Sequence, residues 1–517
     1  MRTLNSAKNL ASSLGITLIM TLLVFFTRKV FVDNVGVEYL GLNGLLQNIL
    51  GIMTLLEGGF ATSVVYNLYK PLAEDNRPKI LALLQLYRKV YRYIALGIIL
   101  FALCLYPFID IFIKDGENLE YVSIVYFIFL FNSVVGYFTA YKWSLVNASQ
   151  QNYKLTAINL VYQVGLNLAK LAILYYTRNY ILYLIVEALF GVGLNICIVW
   201  KTNQLFPYIK TKEKYILDTE TKNNIVTNMK ALFINKIGGF FMHSTDNIII
   251  SAFVGVASIG LYSNYTLITM TVRSVVDQAL NSFSESVGNL IASESSEKVY
   301  EVFKTTFFVN FLLASTPVII LHNAITPFIS WWLGEEYLLG YTTLCIILLN
   351  FYIDVMRSTA LTFKTKAGIF VKDRFTPLLQ GIINLVLSYI FVQFWGLTGV
   401  LFATFISILS IGFWQFPRLC YKYVFHQPLW RYFQAYVIYS SVACIALLAS
   451  VYLCGFIVVG NRFVQTLVNF LISVGTVFLI YLFCFCKTKQ YSYLQIYVSQ
   501  IISCLNNKKG RNGGLNF

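Results

Sequence analysis

Five basic residues lie in or at the edge of long apolar stretches of this 517-residue chain: Arg28, Lys142, Lys170, Lys236 and Arg273. Three carboxylates share such surroundings: Glu57, Asp246 and Asp277. An ionisable group at the centre of a bilayer costs between about 3 and more than 10 kcal/mol, so it faces a partner or a water-filled cavity. Fixed cations select an anion, and the charge-assisted N–H donors of Arg and Lys suit phosphate or diphosphate. The carboxylates are candidates for carrying a coupling ion, H+ or Na+.

Spacing sharpens some of these readings. Asn159, Gln163, Asn167 and Lys170 fall at i, i+4, i+8 and i+11, a polar stripe about 80° wide on a helix otherwise apolar. It suits a polar interior, with a hydrogen-bonded helix–helix seam as the alternative. Lys236, His243 and Asp246 fall close to one face, where Asp246 can neutralise either cation. Arg273 and Asp277 stand four apart and can pair, with Asn281 four further on. Asp354 and Arg357 stand three apart and can pair as well. Arg28 and Lys29 fall near the outer end of the first apolar stretch; Lys29 suits snorkelling to the interface, Arg28 suits snorkelling and a cavity alike, and Lys142 can equally mark a positive-inside boundary. Glu187 has no partner visible in the sequence.

The elements that must hold these groups are membrane spans. Apolar residues make up 57% of the chain and charged ones 12%, where a soluble domain carries about 25% charged residues. Fourteen windows approach the roughly 20 apolar residues that cross a bilayer: 12–32, 44–66, 93–113, 121–141, 155–176, 180–200, 231–253, 261–284, 305–326, 340–360, 376–394, 397–417, 433–456 and 463–486. The ninth is the least sharply bounded, because its apolar run continues through ITPFISWWL at 325–333. Long continuous runs exclude a β-barrel, whose strands are short and alternate. The first run ends in Arg28-Lys29 without a small-residue cleavage motif, so it reads as a span rather than a cleaved signal.

Lys and Arg crowd the connections that share a side with the N-terminus, while the opposite connections are net acidic. This places both termini in the cytoplasm; only the 285–304 loop breaks the pattern. The net charge of +16 is thus a topology signal, split among short loops and making no continuous patch for nucleic acid. The nine cysteines are scattered without metal-ligand spacing, so no metal site or cofactor is expected.

One segment occurs twice. Val35-Gly36-Val37 with Gly41-Leu42 returns as Val254-Gly255-Val256 with Gly260-Leu261. Each copy follows one apolar window and opens the next, with six windows between them. This predicts a parallel duplication: an all-α polytopic membrane protein of about 14 transmembrane helices, in two six-helix lobes related by an axis along the membrane normal, plus two C-terminal helices. The expected division is an N-terminal lobe at 1–205, a cytoplasmic linker at 206–228, a C-terminal lobe at 229–420, an extra helix pair at 421–490 and a basic cytoplasmic tail at 491–517. Proteins built this way bind substrate between the halves near the midplane.

The segments VGVEYLGLNGLLQNIL, EGGFATSVVYNLYKPLAED, TDNIIISAFVGVASIGLYSNY, SFSESVGNLIASES and WGLTGVLFATFIS, in that order over about residues 5–485, carry a resemblance. The chain resembles the Wzx-type O-antigen and capsule flippases, a polysaccharide branch of the multidrug/oligosaccharidyl-lipid/polysaccharide exporter superfamily. The resemblance implies a bacterial inner-membrane protein that moves an undecaprenyl-diphosphate-linked oligosaccharide across the membrane by alternating access. It also implies a cationic cavity, cation coupling, and a polysaccharide polymerase and chain-length regulator as partners. Arg28 stands where such proteins tend to carry a cavity cation, and Lys236–Asp246 matches their seventh span. Fourteen spans, where twelve are common, is a departure.

The expected substrate-binding cations are therefore Arg28, Lys142, Lys170, Lys236 and Arg273. The polar stripe is Asn159, Gln163, Asn167 and His243, and the ion-coupling candidates are Glu57, Asp246 and Asp277. A small-molecule or drug exporter of the same superfamily is the nearest alternative, and the cationic surplus argues against it. A membrane polymerase is another, although its usual long outer loop is missing. No enzymatic motif appears.

Overall fold

A computed structural model describes residues 20–52, 54–114, 119–369, 371–493 and 495. Every regular element among them is helical. Helix α1 covers 20–35, followed by α2 (Val37–Gly51), α3 (Thr54–Glu57), α4 (Phe60–Ala73), α5 (Arg77–Leu105), α6 (Val122–Val135), α7 (Ala140–Ala148), α8 (Tyr153–Thr177) and α9 (Tyr180–Leu205). Then come α10 (Thr219–His243), α11 (Thr245–Phe253), α12 (Val256–Ser293), α13 (Ser296–Trp332) and α14 (Tyr341–Lys366). The chain closes with α15 (Thr376–Ser407), α16 (Phe413–Cys420), α17 (Trp430–Phe456) and α18 (Arg462–Phe485).

Among the described residues, eight helices are long and apolar enough to cross a membrane, or nine if the pair Val122–Phe138 and Ala140–Ala148, bent by 48°, is one span. One of the eight is the 50-residue stretch Thr376–Phe425. Straight, it would measure about 75 Å at 1.5 Å per residue, against a hydrocarbon core of about 30 Å. Gly396, at φ 53° and ψ −132°, breaks it. The two expected windows 376–394 and 397–417 are the two limbs. Among the described residues each of the fourteen windows is mainly helical, and the chain is an all-α, multi-pass membrane protein.

Four of the windows depart from the helix bounds in an informative way. The 44–66 window is broken where Gly58 and Gly59 take φ 57° and 79°, and Glu57 sits at the break. The 231–253 window breaks at Ser244, between α10 and α11. The 12–32 window is described only from residue 20. The 305–326 window lies inside α13, which carries on through the apolar run to Trp332.

The helices form two compact units. One runs to Asn264 and takes in Arg374–Ala403. Within it α8 packs on α9, α9 on α6, and α4 on α5, α7 and α10. The other unit holds Tyr265–Asp373 and the residues from Thr404 on. There α13 packs against α14, α17 and α18 around Phe303, Phe307, Phe308 and Phe311. Asn323 on α13 donates to Ser450 and Ser473, both at 2.9 Å, and its carbonyl accepts from Asn469 at 2.7 Å. A polar seam therefore ties α17 and α18 to α13. Buried amides and hydroxyls that find each other hold helices together where lipid supplies no hydrophobic drive.

The repeated segment explains itself in the first unit. Gly36 and Gly255 both adopt positive φ, 102° and 131°, which lets the chain turn sharply from one helix into the next. A Cβ on Gly41 would stand 1.9 Å from the Val256 carbonyl oxygen, and a Cβ on Gly260 would stand 2.1 Å from that of Val37. These positions correspond in the two copies. Each copy thus presses its glycine against the valine carbonyl of the other, a reciprocal contact with local two-fold character. Gly41→Ala and Gly260→Ala should each lower stability by roughly 1–3 kcal/mol or more, because backbone cannot yield as a side chain does. Gly191, on α9, has nothing within 4 Å of its added Cβ, so Gly191→Ala should be neutral or stabilising. Thermal unfolding of the detergent-purified protein checks the order, and equal effects at the three positions would contradict the contact.

Candidate functional site

The first unit gathers charged and aromatic side chains around the start of α9. Helices α8 and α9 form an antiparallel hairpin, turned by Arg178 at φ 51° and capped by Asn179, whose side chain accepts from the Leu182 N–H. Lys170 and Glu187 lie equally far from this turn, so the hairpin brings them level. The Lys170 Nζ is 2.8 Å from the Glu187 Oε2, and their side chains are 11% and 36% exposed. The ammonium also sits 4.6 Å from the centre of the Tyr183 ring. Glu187, which shows no partner in the sequence, therefore has one.

Arg28 approaches the same tyrosine from α1. Three residues on, Phe31 is buried against Tyr180 and Tyr183, with ring centroids 5.8 and 5.3 Å apart. Residues three apart share a helix face, so Phe31 docks α1 on α9 and carries Arg28 into electrostatic reach of the Tyr183 hydroxyl. The Arg28 Nη1 donates to Ser263 Oγ at 2.8 Å. Ser263 lies on α12, one turn after Gly260, so the glycine contact sets its position. Tyr180 donates to Asn43 on α2. No carboxylate lies within ion-pair distance of Arg28 among the described residues. Arg28, Lys170 and Glu187 together leave one net positive charge among aromatic rings.

A second group occupies the break after α3. Glu57 accepts from the Tyr91 hydroxyl on α5 and lies 3.3 Å from Lys236 Nζ on α10. Tyr91 in turn packs edge-on against Tyr87 and beside Tyr137. Here a carboxylate is shared by a cation and a hydroxyl.

The remaining expected residues go elsewhere. Lys142 on α7 donates to Asn203 at 2.8 Å, near the far end of α9. From Tyr183 to Asn203 is about 30 Å of helix at 1.5 Å per residue. Lys142 therefore does not share the Arg28–Lys170 group. Asn167 donates to the Gln163 carbonyl at 2.8 Å, back along its own helix, and Asn159 and Gln163 are half-buried. Asp246 opens α11 in electrostatic reach of Tyr262, while Lys236 takes Glu57 as its partner. His243 closes α10, and its side chain, like that of Asn281, lies outside the described part of the structure.

Arg273 and Asp277 belong to the other unit. Arg273 donates to Asp277 at 2.8 Å and also to Asp354 on α14, which accepts from Arg357 at 2.8 Å. The two local pairs expected from spacing are thus one neutral network of two arginines and two aspartates. Tyr183 and Ser263, ordinary residue types in apolar windows, and Tyr91, in the basic stretch before the third window, gave no signal of this role in the sequence. Only the symmetric spacing of Lys170 and Glu187 about Arg178-Asn179 was there to be read.

No protein-family model matches the chain, and no curated protein matches it. Solved structures do. A lipid II flippase MurJ in an inward closed conformation superposes with a TM-score of 0.65 over 91% of this chain and 98% of its own, at 16% identity. An inward-facing multidrug resistance MATE family transporter of the MOP superfamily gives 0.56 over 77% and 95%, at 14% identity. A MOP superfamily transporter from Pyrococcus furiosus, described as having a binding pocket of reverse polarity, gives 0.53 over 78% and 93%, at 14% identity. The fold of this chain is the fold of those transporters.

The Lys170–Glu187 pair makes a direct prediction. Lys170→Gln and Glu187→Gln should each destabilise by roughly 1–3 kcal/mol, since each leaves a charge without its partner. The double substitution should cost less than the sum by about 0.5–3 kcal/mol. Thermal unfolding of the four proteins closes this cycle, and strictly additive losses would contradict the pair.

Proposed function

We propose that the protein is a flippase for a polyprenyl-diphosphate-linked oligosaccharide, working in the bacterial cytoplasmic membrane with both termini in the cytoplasm. The observation that carries this reading is Arg28, which lies on α1, held by a neutral serine, beside the neutralised Lys170–Glu187 pair. A surplus positive charge among aromatic rings is costly unless an anion visits it. A diphosphate meets that need through charge-assisted, forked N–H donors. The sugar head group requires an aqueous path, whereas the prenyl tail can remain in lipid. The fold shared with a lipid II flippase supports the same class of cargo.

Alternating access driven by H+ or Na+ completes the reading. Glu57 is the coupling group favoured by geometry, because a hydroxyl, Tyr91, holds one of its oxygens and a cation, Lys236, the other; Asp246 and Asp277 are the other candidates. Lys236 and Arg273 serve here as partners of carboxylates rather than as direct ligands of the cargo. The sugar units would pass to a polysaccharide polymerase and its chain-length regulator. An exporter of cationic drugs is the second reading, suggested by the MATE neighbour. It calls for surplus negative charge where Arg28 supplies positive.

Depleting the protein in its native host should cause complete lipid-linked repeat units to accumulate on the cytoplasmic side, with loss of surface polysaccharide. Arg28→Gln should reproduce that state, and Arg28→Lys should restore part of the flux. Finished units reaching the outer leaflet unpolymerised would instead make the protein a polymerase or its partner. An unchanged lipid pool would favour small-molecule export.

A further inference from the structure

Lys142 is not alone at the far end of α9. Its ammonium lies 5.8 Å from the centre of the Tyr141 ring, and the guanidinium of Arg88, from α5, lies 5.9 Å from the same centre. Lys210, just beyond α9, is in electrostatic reach of Lys142, and Arg92, one turn along α5 from Arg88, is in reach of Tyr141. Asn203 steadies Lys142 through a 2.8 Å hydrogen bond. Among the described residues none of these four cations has a carboxylate within ion-pair distance, although twelve other Lys and Arg side chains do.

Topology alone does not require this arrangement. Positive-inside charge is satisfied by solvated side chains on separate loops. Here α5 and α7 bring two like charges, Arg88 and Lys142, to one tyrosine, and Lys210, in the turn after α9, lies in reach of Lys142. Such repulsion is relieved when an anion bridges the cations, and the shared ring adds cation–π attraction to both. The cluster also lies about 30 Å of helix from Tyr183, a distance equal to the hydrocarbon thickness. Membrane topology puts this end of α9 on the cytoplasmic side.

The geometry points to a second, separate anion site: Arg88, Arg92 and Lys142 around Tyr141, with Lys210 near Lys142, bind the diphosphate head group of the lipid carrier at the cytoplasmic face before it reaches Arg28. This inference rests on the flippase reading. Four cations match the two negative charges of a diphosphate diester better than the single charge of a phospholipid phosphate. Arg88 supplies a forked donor for two oxygens, and Lys142 a point charge. The two stations would then mark the head group's loading and delivery ends.

The test uses the full-length protein in detergent with a long-chain polyprenyl diphosphate, and native mass spectrometry to count bound lipid. Phosphatidylglycerol is the competitor. Arg88→Gln and Lys142→Gln should each weaken polyprenyl diphosphate binding about tenfold, the loss of one charge-assisted hydrogen bond. Arg88→Lys should recover part of it, and an equal concentration of phosphatidylglycerol should displace little. If the Arg88→Gln/Lys142→Gln double variant, folded by its thermal transition, binds like the parent, the site is wrong. If phosphatidylglycerol competes on equal terms, the site is an anionic-phospholipid contact and the carrier assignment fails. If the parent protein binds no polyprenyl diphosphate, the flippase reading itself fails, an outcome distinct from the other two.

Discussion

Two glycines allow two backbones to touch, and the cationic site is built on that contact. Gly41 lies against the Val256 carbonyl and Gly260 against that of Val37. No side chain can be added at either place without moving a helix. The contact fixes the start of α12 against the start of α2, which sets Ser263 opposite Arg28 and Asn43 opposite Tyr180. The same short segment, used twice, supplies both halves of one interface, and the polar partners of the site follow within a turn of each glycine.

Charge is then distributed so that the membrane tolerates it. Lys170 is neutralised by Glu187, Lys236 by Glu57, and Arg273 and Arg357 by Asp277 and Asp354. Buried pairs of this kind are weak evidence for stability, since desolvation offsets most of their attraction. Their value lies in what they leave over. Arg28 differs from these: among the described residues no carboxylate lies within ion-pair distance of it, which leaves the Lys170–Glu187 neighbourhood with a net positive sign. The Glu57 group differs in being placed at a helix break, where glycines at positive φ let the local backbone change.

Much of the architecture was legible because hydrophobic run length is dictated by the bilayer. The windows at 376–394 and 397–417 flank the residue, Gly396, at which the long helix breaks. The repeat was legible as a duplication, but that its two copies touch was not, since contact between distant segments leaves no trace in either alone. Lys170 was visible as a charge on a polar stripe, whereas its pairing with Glu187 required the hairpin turn to be placed. Arg88 was hidden for a different reason. The basic stretch at 67–92 reads as a cytoplasmic loop, yet α5 begins at Arg77 with Pro78 in its first turn and Asn76 as its cap. That helix lifts Arg88 and Arg92 to the side of Tyr141.

The proposed function turns on whether the protein moves an anionic lipid head group past Arg28. The most direct measurement reconstitutes purified protein in vesicles carrying a fluorescent polyprenyl-diphosphate sugar in the inner leaflet and follows its arrival outside by a membrane-impermeant quencher. The account predicts protein-dependent transfer that Arg28→Gln abolishes while the protein stays folded. Equal transfer by Arg28→Gln, or transfer of a cationic dye in place of the lipid, would contradict it.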